Sequence, residues 1–263
     1  MLRRRAGAAL MCGRVVAASP REVLAARLGV AEIVGEELPA RWNVAPGSQV
    51  YAVAGTRRGR RMGPLWWGLV PSWVPDPSTA PRPMNARAES LLERPTFEGA
   101  LAGRRCVVPV DGFYEWQTAP AGCVPERRAG RQPWFLAPAD GGPMAIAAVW
   151  DRWTGDGSDP HVSCALITTP ANDEVSPLHD RMPAIVPPDD WEEWLDPANR
   201  DVERLRGLLR PAPPGRLSSR PVSRLVNRVG NEGPELLSDP EPPATAFGPR
   251  RPAALSLFSN DSR

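Results

Sequence analysis

Apolar residues come in short runs along this chain, and nearly every run is fenced by proline, glycine or an acidic turn residue. Residues 65–70, 105–110, 143–150 and 161–168 are of strand length, partly β-branched and bounded by turn formers, so each predicts a β-strand. Asp111-Gly112 is a turn signal ahead of Phe113-Tyr114-Glu115-Trp116, which reads as the returning strand of a hairpin. Helical periodicity is rarer. Ser19-Pro20-Arg21-Glu22 has the spacing of a capping box with proline at the first helical position, and Gly29 supplies a stop. Val23, Leu24 and Leu28 form the predicted core face of that helix. Residues 189–195 place Trp191, Trp194 and Leu195 at i, i+3, i+4 spacing, and 201–209 predict a second short helix. The basic, glycine-containing stretch 126–132 reads as a solvent loop.

Proline explains the shortness of these elements: it makes up 33 of 263 residues, about 12.5% against a usual ~5%. The pattern predicts one compact, strand-rich α+β domain over 11–237, with mostly antiparallel sheets and short peripheral helices. Residues 1–10 read as an over-extended or disordered leader, with Met11 as the start, because their apolar part is too short for a signal peptide. The proline-rich 238–263 lacks apolar periodicity and reads as a disordered tail. No run reaches the roughly 18 apolar residues of a membrane span, so no membrane partner is expected.

Charge narrows the chemistry. Thirty-two basic and 30 acidic residues leave a net +2, so any surface for nucleic acid must be local. Every basic residue is arginine, which removes a lysine Schiff base from consideration. Cys12, Cys106, Cys123 and Cys164 include no C-x-x-C pair, which argues against structural zinc. They also do not read as a secreted disulfide framework, so a cytoplasmic protein is expected. Nucleophile elbow, P-loop, zinc-protease helix and dinucleotide fingerprint are all absent.

Several polar residues stand inside apolar or aromatic runs. If the chain starts at Met11 and loses it, Cys12 presents an α-amine beside its thiol. Such an amine titrates at about 7.7–8.0, so a useful fraction is neutral near pH 7 and able to attack an aldehyde. The sulfur can then close a five-membered ring on the imine; the plainer alternative is a small buried thiol. Glu115 between Tyr114 and Trp116 is either a desolvated carboxylate suited to proton transfer or the outward residue of an alternating strand. His179, before Asp180 and Arg181, is either a proton shuttle or a surface loop histidine. Of the adjacent Trp66 and Trp67, one must point inward, whereas Trp73, between Pro71 and Pro75, is expected to be exposed and free to stack on a base.

Taken together, the motifs resemble those of the SRAP family, the SOS response-associated peptidases or abasic-site processing proteins. The resemblance rests on Met11-Cys12-Gly13-Arg14, Trp42-Asn43-Val44-Ala45-Pro46-Gly47, Trp67-Gly68-Leu69-Val70-Pro71-Ser72-Trp73 and Asn85-Ala86-Arg87-Ala88-Glu89. It continues through Asp111-Gly112-Phe113-Tyr114-Glu115-Trp116, His179-Asp180-Arg181-Met182-Pro183 and Asn231-Glu232-Gly233-Pro234. The resemblance implies a β-rich α+β fold and a monomer that binds single-stranded DNA and crosslinks abasic sites as a thiazolidine on Cys12. It implies no metal or organic cofactor, and nucleoid association when DNA is bound. By the same resemblance Asn43 would position cysteine and sugar, Glu115 would shuttle protons, and His179 would assist opening of the deoxyribose. Arg14, Asn85, Arg87 and Arg181 would contact the DNA backbone, with Trp73 as the stacking platform. The chain departs from the family in carrying residues 1–10 ahead of Met11, which would block the amine if retained. A cysteine peptidase or N-terminal-nucleophile hydrolase, with His179 as base, would use the same residues.

Overall fold

The computed structural model describes residues 13–117, 131–155 and 160–240. The first half contains β1 (Val15–Ala17), α1 (Arg21–Leu28), β2 (Val30–Ile33), β3 (Arg41–Val44), β4 (Gln49–Thr56), β5 (Gly59–Trp67), β6 (Asn85–Arg87) and α2 (Pro95–Gly103). There follow β7 (Arg105–Val110), β8 (Gly112–Trp116), β9 (Pro133–Pro138), β10 (Met144–Trp153) and β11 (His161–Pro170). The described chain closes with β12 (Arg181–Pro183), α3 (Trp191–Leu195), α4 (Val202–Gly207) and β13 (Leu217–Pro221).

The strands make two sheets. The smaller has the order β13-β9-β8-β1-β3 and is antiparallel throughout. The larger runs β12-β11-β10-β7-β4-β5-β2, and a parallel β5–β11 pairing joins its strands β5, β4, β7, β10 and β11 into a ring. β2 joins β5 and β6 joins β11, also in parallel.

Alternation along the strands builds the layers. Cys106, Val108 and Val110 of β7 pack with Met144, Ile146, Ala148, Cys164 and Leu166 against Val15, Val44, Phe113 and Leu136 of the small sheet. The intervening Val107, Ala145, Ala147, Ala165 and Ile167 meet the helices through Leu24, Leu28, Leu101, Trp194 and Leu205. On the far side of the small sheet, Val16, Tyr114, Trp116 and Phe135 are covered by Val222 and Val226. The result is four layers: helices, large sheet, small sheet and the 222–237 segment. Among the described residues, no helix is long and apolar enough to cross a membrane.

Some local expectations are corrected. β7 and β8 are not a hairpin, since β7 belongs to the large sheet and β8 pairs with β1 and β9 in the small one. The reason lies in β8 itself, where all five residues are buried and both faces need cover. Gly112 allows the crossing: a Cβ there would stand 2.4 Å from the Phe135 ring and 2.6 Å from the Leu136 carbonyl. Ser19 does not cap α1, because its hydroxyl and backbone N–H, with the Ala18 N–H, are taken by the Asp111 carboxylate. Val23 is exposed rather than buried; in an eight-residue helix Leu24 and Leu28, at i, i+4, suffice for the core face. Gly29 ends the helix in the left-handed conformation, φ 59°. Most of the loop 126–132, the leader and all but the first residues of the tail lie outside the described residues.

Candidate functional site

The inter-sheet layer and the layer beneath the 222–237 segment divide the expected site residues between them. β8 sends Phe113 into the inter-sheet core and Tyr114 and Trp116 to the opposite side. Glu115, two residues on from Phe113, therefore shares the inter-sheet face, and it is only 2% exposed. The outward-facing alternative for this carboxylate is thereby removed.

Arg14 and Asn43 sit on the other face. Arg14 donates to Asn43 Oδ1 at 2.6 Å and to the Val226 carbonyl at 3.1 Å, with its guanidinium 5.8 Å above the Trp116 ring. The Asn43 amide donates in turn to the carbonyls of Arg228 at 2.8 Å and Asn231 at 3.0 Å. Asn43 is wholly buried, and its known bonds go to Arg14 and this loop. Three further contacts tie the same loop down. Trp116 Nε1 donates to Asn227 Oδ1 at 2.6 Å, Glu232 takes the Trp42 N–H at 2.9 Å, and Arg41 binds Glu232 at 2.7 Å. Tyr114 donates its hydroxyl to the Trp42 carbonyl at 2.9 Å. Burial, with the Glu232 carboxylate nearby, pushes that phenol well up, so it stays a neutral donor.

The start of the chain runs toward Glu115. Val15 pairs with Phe113, and the Tyr114 N–H donates to the Arg14 carbonyl at 3.0 Å. Because β1 and β8 are antiparallel, the chain ahead of Val15, with buried Gly13, heads toward the Glu115 end of β8. Cys12, the preceding residue, lies outside the described residues.

β6 contributes to the Glu115 side. Ala86 packs against the helical layer, which leaves Asn85 and Arg87 on the face of β6 toward the inter-sheet layer. Asn85 is half-buried and Arg87 exposed. His179 follows Leu178, whose side chain belongs to the inter-sheet core with Met182. Its Nδ1 accepts the Arg181 backbone N–H at 3.0 Å and lies 2.9 Å from Asp180 Oδ1. Both contacts cannot use one hydrogen. The amide is a fixed donor, so it governs the neutral ring, while Asp180 serves the protonated ring.

Arg181 differs most from its expected use. It is 8% exposed, forms a two-pronged pair with Glu89 at 2.5 and 2.8 Å, and donates to the Thr168 carbonyl at 2.7 Å. This pairing holds the Glu89 carboxyl below its usual range. Of the three arginines expected on DNA phosphates, Arg87 is exposed, whereas Arg14 and Arg181 are buried in the bonds just described.

The tryptophans divide as expected: Trp67 is buried, Trp73 is 62% exposed, and Trp66 is 41% exposed against the His161 ring. Cys106 and Cys164 are buried thiols, and burial pushes Cys164 up to about 12, so neither competes as a thiolate. A cavity of about 480 Å³ opens between the start of α1, β3 and β4, lined by Ser19, Arg41, Tyr51 and Trp66 among others. Glu115, Asn85, Arg87 and His179 do not line it. Sequence reasoning assigned no role to Glu89, Asn227 or Glu232. Glu89 and Glu232 stand inside motifs carrying the family resemblance, a signal that went unused; Asn227 carried none.

Comparison with known proteins identifies the family. The family model for the SOS response associated peptidase (SRAP) matches residues 11–229. The abasic site processing protein YoqW of Bacillus subtilis is 33% identical over 229 residues, covering 86% of this chain and 99% of its own. The abasic site processing protein HMCES of Gallus gallus is 36% identical over 195 residues, covering 65% of this chain and 55% of its own. A crystal structure of a Bacteroides thetaiotaomicron protein superposes with a TM-score of 0.75 at 23% identity, covering 87% of this chain and 99% of that one, a likeness of fold.

Proposed function

This chain belongs to the SRAP family, and from that membership we propose that it captures abasic sites in single-stranded DNA on an N-terminal Cys12. The relatives' names point to abasic-site processing. The observation that carries the finer reading is the placement of Glu115. A carboxylate that is 2% exposed faces the inter-sheet layer, and the antiparallel β1–β8 pairing directs the chain ahead of Val15 toward its end of β8.

The chemistry then runs as follows. The neutral Cys12 amine adds to the ring-opened aldehyde of the lesion, and the carbinolamine loses water to give an imine. The thiol adds to the imine carbon and its proton passes to nitrogen, closing a thiazolidine; the net change is the loss of one water. Glu115 takes the proton released by the attacking amine and returns one to the departing hydroxyl. His179 hydrogen-bonds the sugar ring oxygen through Nε2–H as the ring opens, the proton that this oxygen gains being the one the anomeric hydroxyl releases on becoming the aldehyde. Asn85, on the Glu115 side, is the amide suited to hold the lesion, whereas Asn43 acts through Arg14 and the 226–231 loop as a positioning residue. Arg87 meets phosphate, and Trp73 stacks on a neighbouring base. The reading requires the residues ahead of Cys12 to be removed.

Protein whose mass begins at Cys12, incubated with an abasic-site oligonucleotide, is expected to give a heat-stable, gel-shifted covalent species. No adduct from such protein would overturn the proposal. Cleavage of a supplied peptide without any DNA adduct would favour the hydrolase reading instead.

A further inference from the structure

The turn that carries Trp73 is held by its neighbours. Proline at 71 and 75 removes two backbone donors from it, and its interior hydrogen bond is Val74 N–H to the Pro71 carbonyl at 3.3 Å. Three contacts from β10 and β11 do the rest. The Ser72 N–H donates to Asp151 Oδ2 at 2.9 Å, the Val70 N–H donates to Ser163 Oγ at 2.8 Å, and Trp153 Nε1 donates to the Val74 carbonyl at 2.8 Å. Asp151 and Ser163 face each other in the β10–β11 register, so both anchors spring from one rung of the ladder. Asp151 is buried, and its second oxygen accepts the Arg152 N–H at 2.9 Å and lies 3.2 Å from Arg104 Nε in an ion pair. A carboxylate so placed is fixed at both oxygens, and what it fixes next is the residue before Trp73.

We propose that Asp151 is a positioning residue for DNA: through the Ser72 N–H it holds the Trp73 indole ready for an unpaired base. The inference rests on the reading that Trp73 stacks on DNA. Its physical basis is preorganisation. An indole that is 62% exposed on a turn free to move would give up that freedom on each binding event, and a turn already fixed loses less. No direct contact between Asp151 and DNA is involved, and none would be favourable, since both are anionic.

The test is a double-mutant cycle on the full chain with an undamaged oligothymidylate, read by fluorescence anisotropy across a salt series. Trp73→Ala is expected to weaken binding by roughly 5- to 150-fold, the range one stacked base is worth. Asp151→Asn is expected to weaken binding several-fold in the wild-type background, with little further loss in the Trp73→Ala background and no change of salt slope. Trp153→Phe keeps an aromatic ring, though a smaller one, removes the donor to Val74 and should act in the same sense; it also serves if Asp151→Asn fails to fold. Equal penalties in both backgrounds would overturn the inference, because general loosening of the fold does not depend on Trp73. So would wild-type affinity in folded Asp151→Asn and Trp153→Phe, with the stacking role of Trp73 left standing. Wild-type affinity in Trp73→Ala would remove stacking and positioning together.

Discussion

The Arg181 backbone N–H donates to His179 Nδ1 at 3.0 Å, so a neutral His179 carries its hydrogen on Nε2. A tautomer fixed in this way leaves Nε2–H as the hydrogen-bond donor available to substrate. Nitrogen NMR of the imidazole at a pH where it is neutral should therefore show the Nε2–H form. His179→Ala should slow adduct formation by about 10²–10⁴-fold while leaving its end point reachable on long incubation. A dominant Nδ1–H tautomer, or a wild-type rate in the variant, would remove His179 from the role given to it.

Glu115 and Cys12 should part company in the same assay. Cys12→Ala removes the ring-closing sulfur and should abolish the stable adduct, and Cys12→Ser should leave at most a reversible imine. Glu115→Gln keeps the shape of a side chain that the fold buries at 2% exposure and removes its proton transfer. It should slow the reaction by about 10²–10⁴-fold with the end point intact. Rapid-quench gels on the abasic oligonucleotide measure both, and a Glu115→Gln rate equal to wild type would contradict the assignment.

Glu115 also marks where sequence is informative and where it stops being so. A carboxylate within Phe113-Tyr114-Glu115-Trp116 was visible as either buried or outward-facing. The choice depends on what covers the second face of β8, and strands and loops distant along the chain supply that cover. Trp73 was legible because Pro71 and Pro75 fence it from any regular element. Arg14 was not: an arginine beside Val15 looks the same whether it meets phosphate or carbonyl. Its partners lie 29 and 212 residues away, at Asn43 and Val226. The Asp111-Gly112 turn was real, but local turn chemistry does not say to which sheet the next strand goes.

DNA binding should separate the arginines by the kind of loss each causes. Arg87→Ala removes an exposed cation, so the log–log salt slope on single-stranded DNA should fall by about 0.7 and all sequences should weaken alike. Arg14→Ala breaks buried charge-assisted bonds to Asn43 and Val226 and should cost about 1.5–3 kcal/mol of stability per bond at most, with the slope unchanged. Anisotropy titrations beside thermal melts distinguish the two. A reduced slope in a fully stable Arg14→Ala protein would return Arg14 to the DNA surface.

Glu89 offers a test of whether Arg181 serves the fold or the DNA. The Arg181 hydrogen bonds hold the folded Glu89 carboxyl below its ordinary value, while the unfolded chain titrates at about 4.3. For a depressed carboxyl the stabilisation is fully present above the unfolded value and is lost as pH falls through the folded one. Glu89→Gln should therefore lower Tm at neutral pH, and the gap from wild type should begin to narrow below the unfolded value and close once pH falls below the lowered folded value, where both proteins lack the ionised pair. The effect is modest because the Glu89 side chain is 48% exposed and solvent screens it. Binding supplies the second reading. If Arg181 acts only as a clamp between β12 and the start of the segment after β6, freeing it from Glu89 changes DNA affinity little. If it contacts phosphate, removing the competing carboxylate tightens binding at low salt and steepens the salt slope by about 0.7. A melt series from pH 7 to pH 3 and a salt titration on the one variant decide between them.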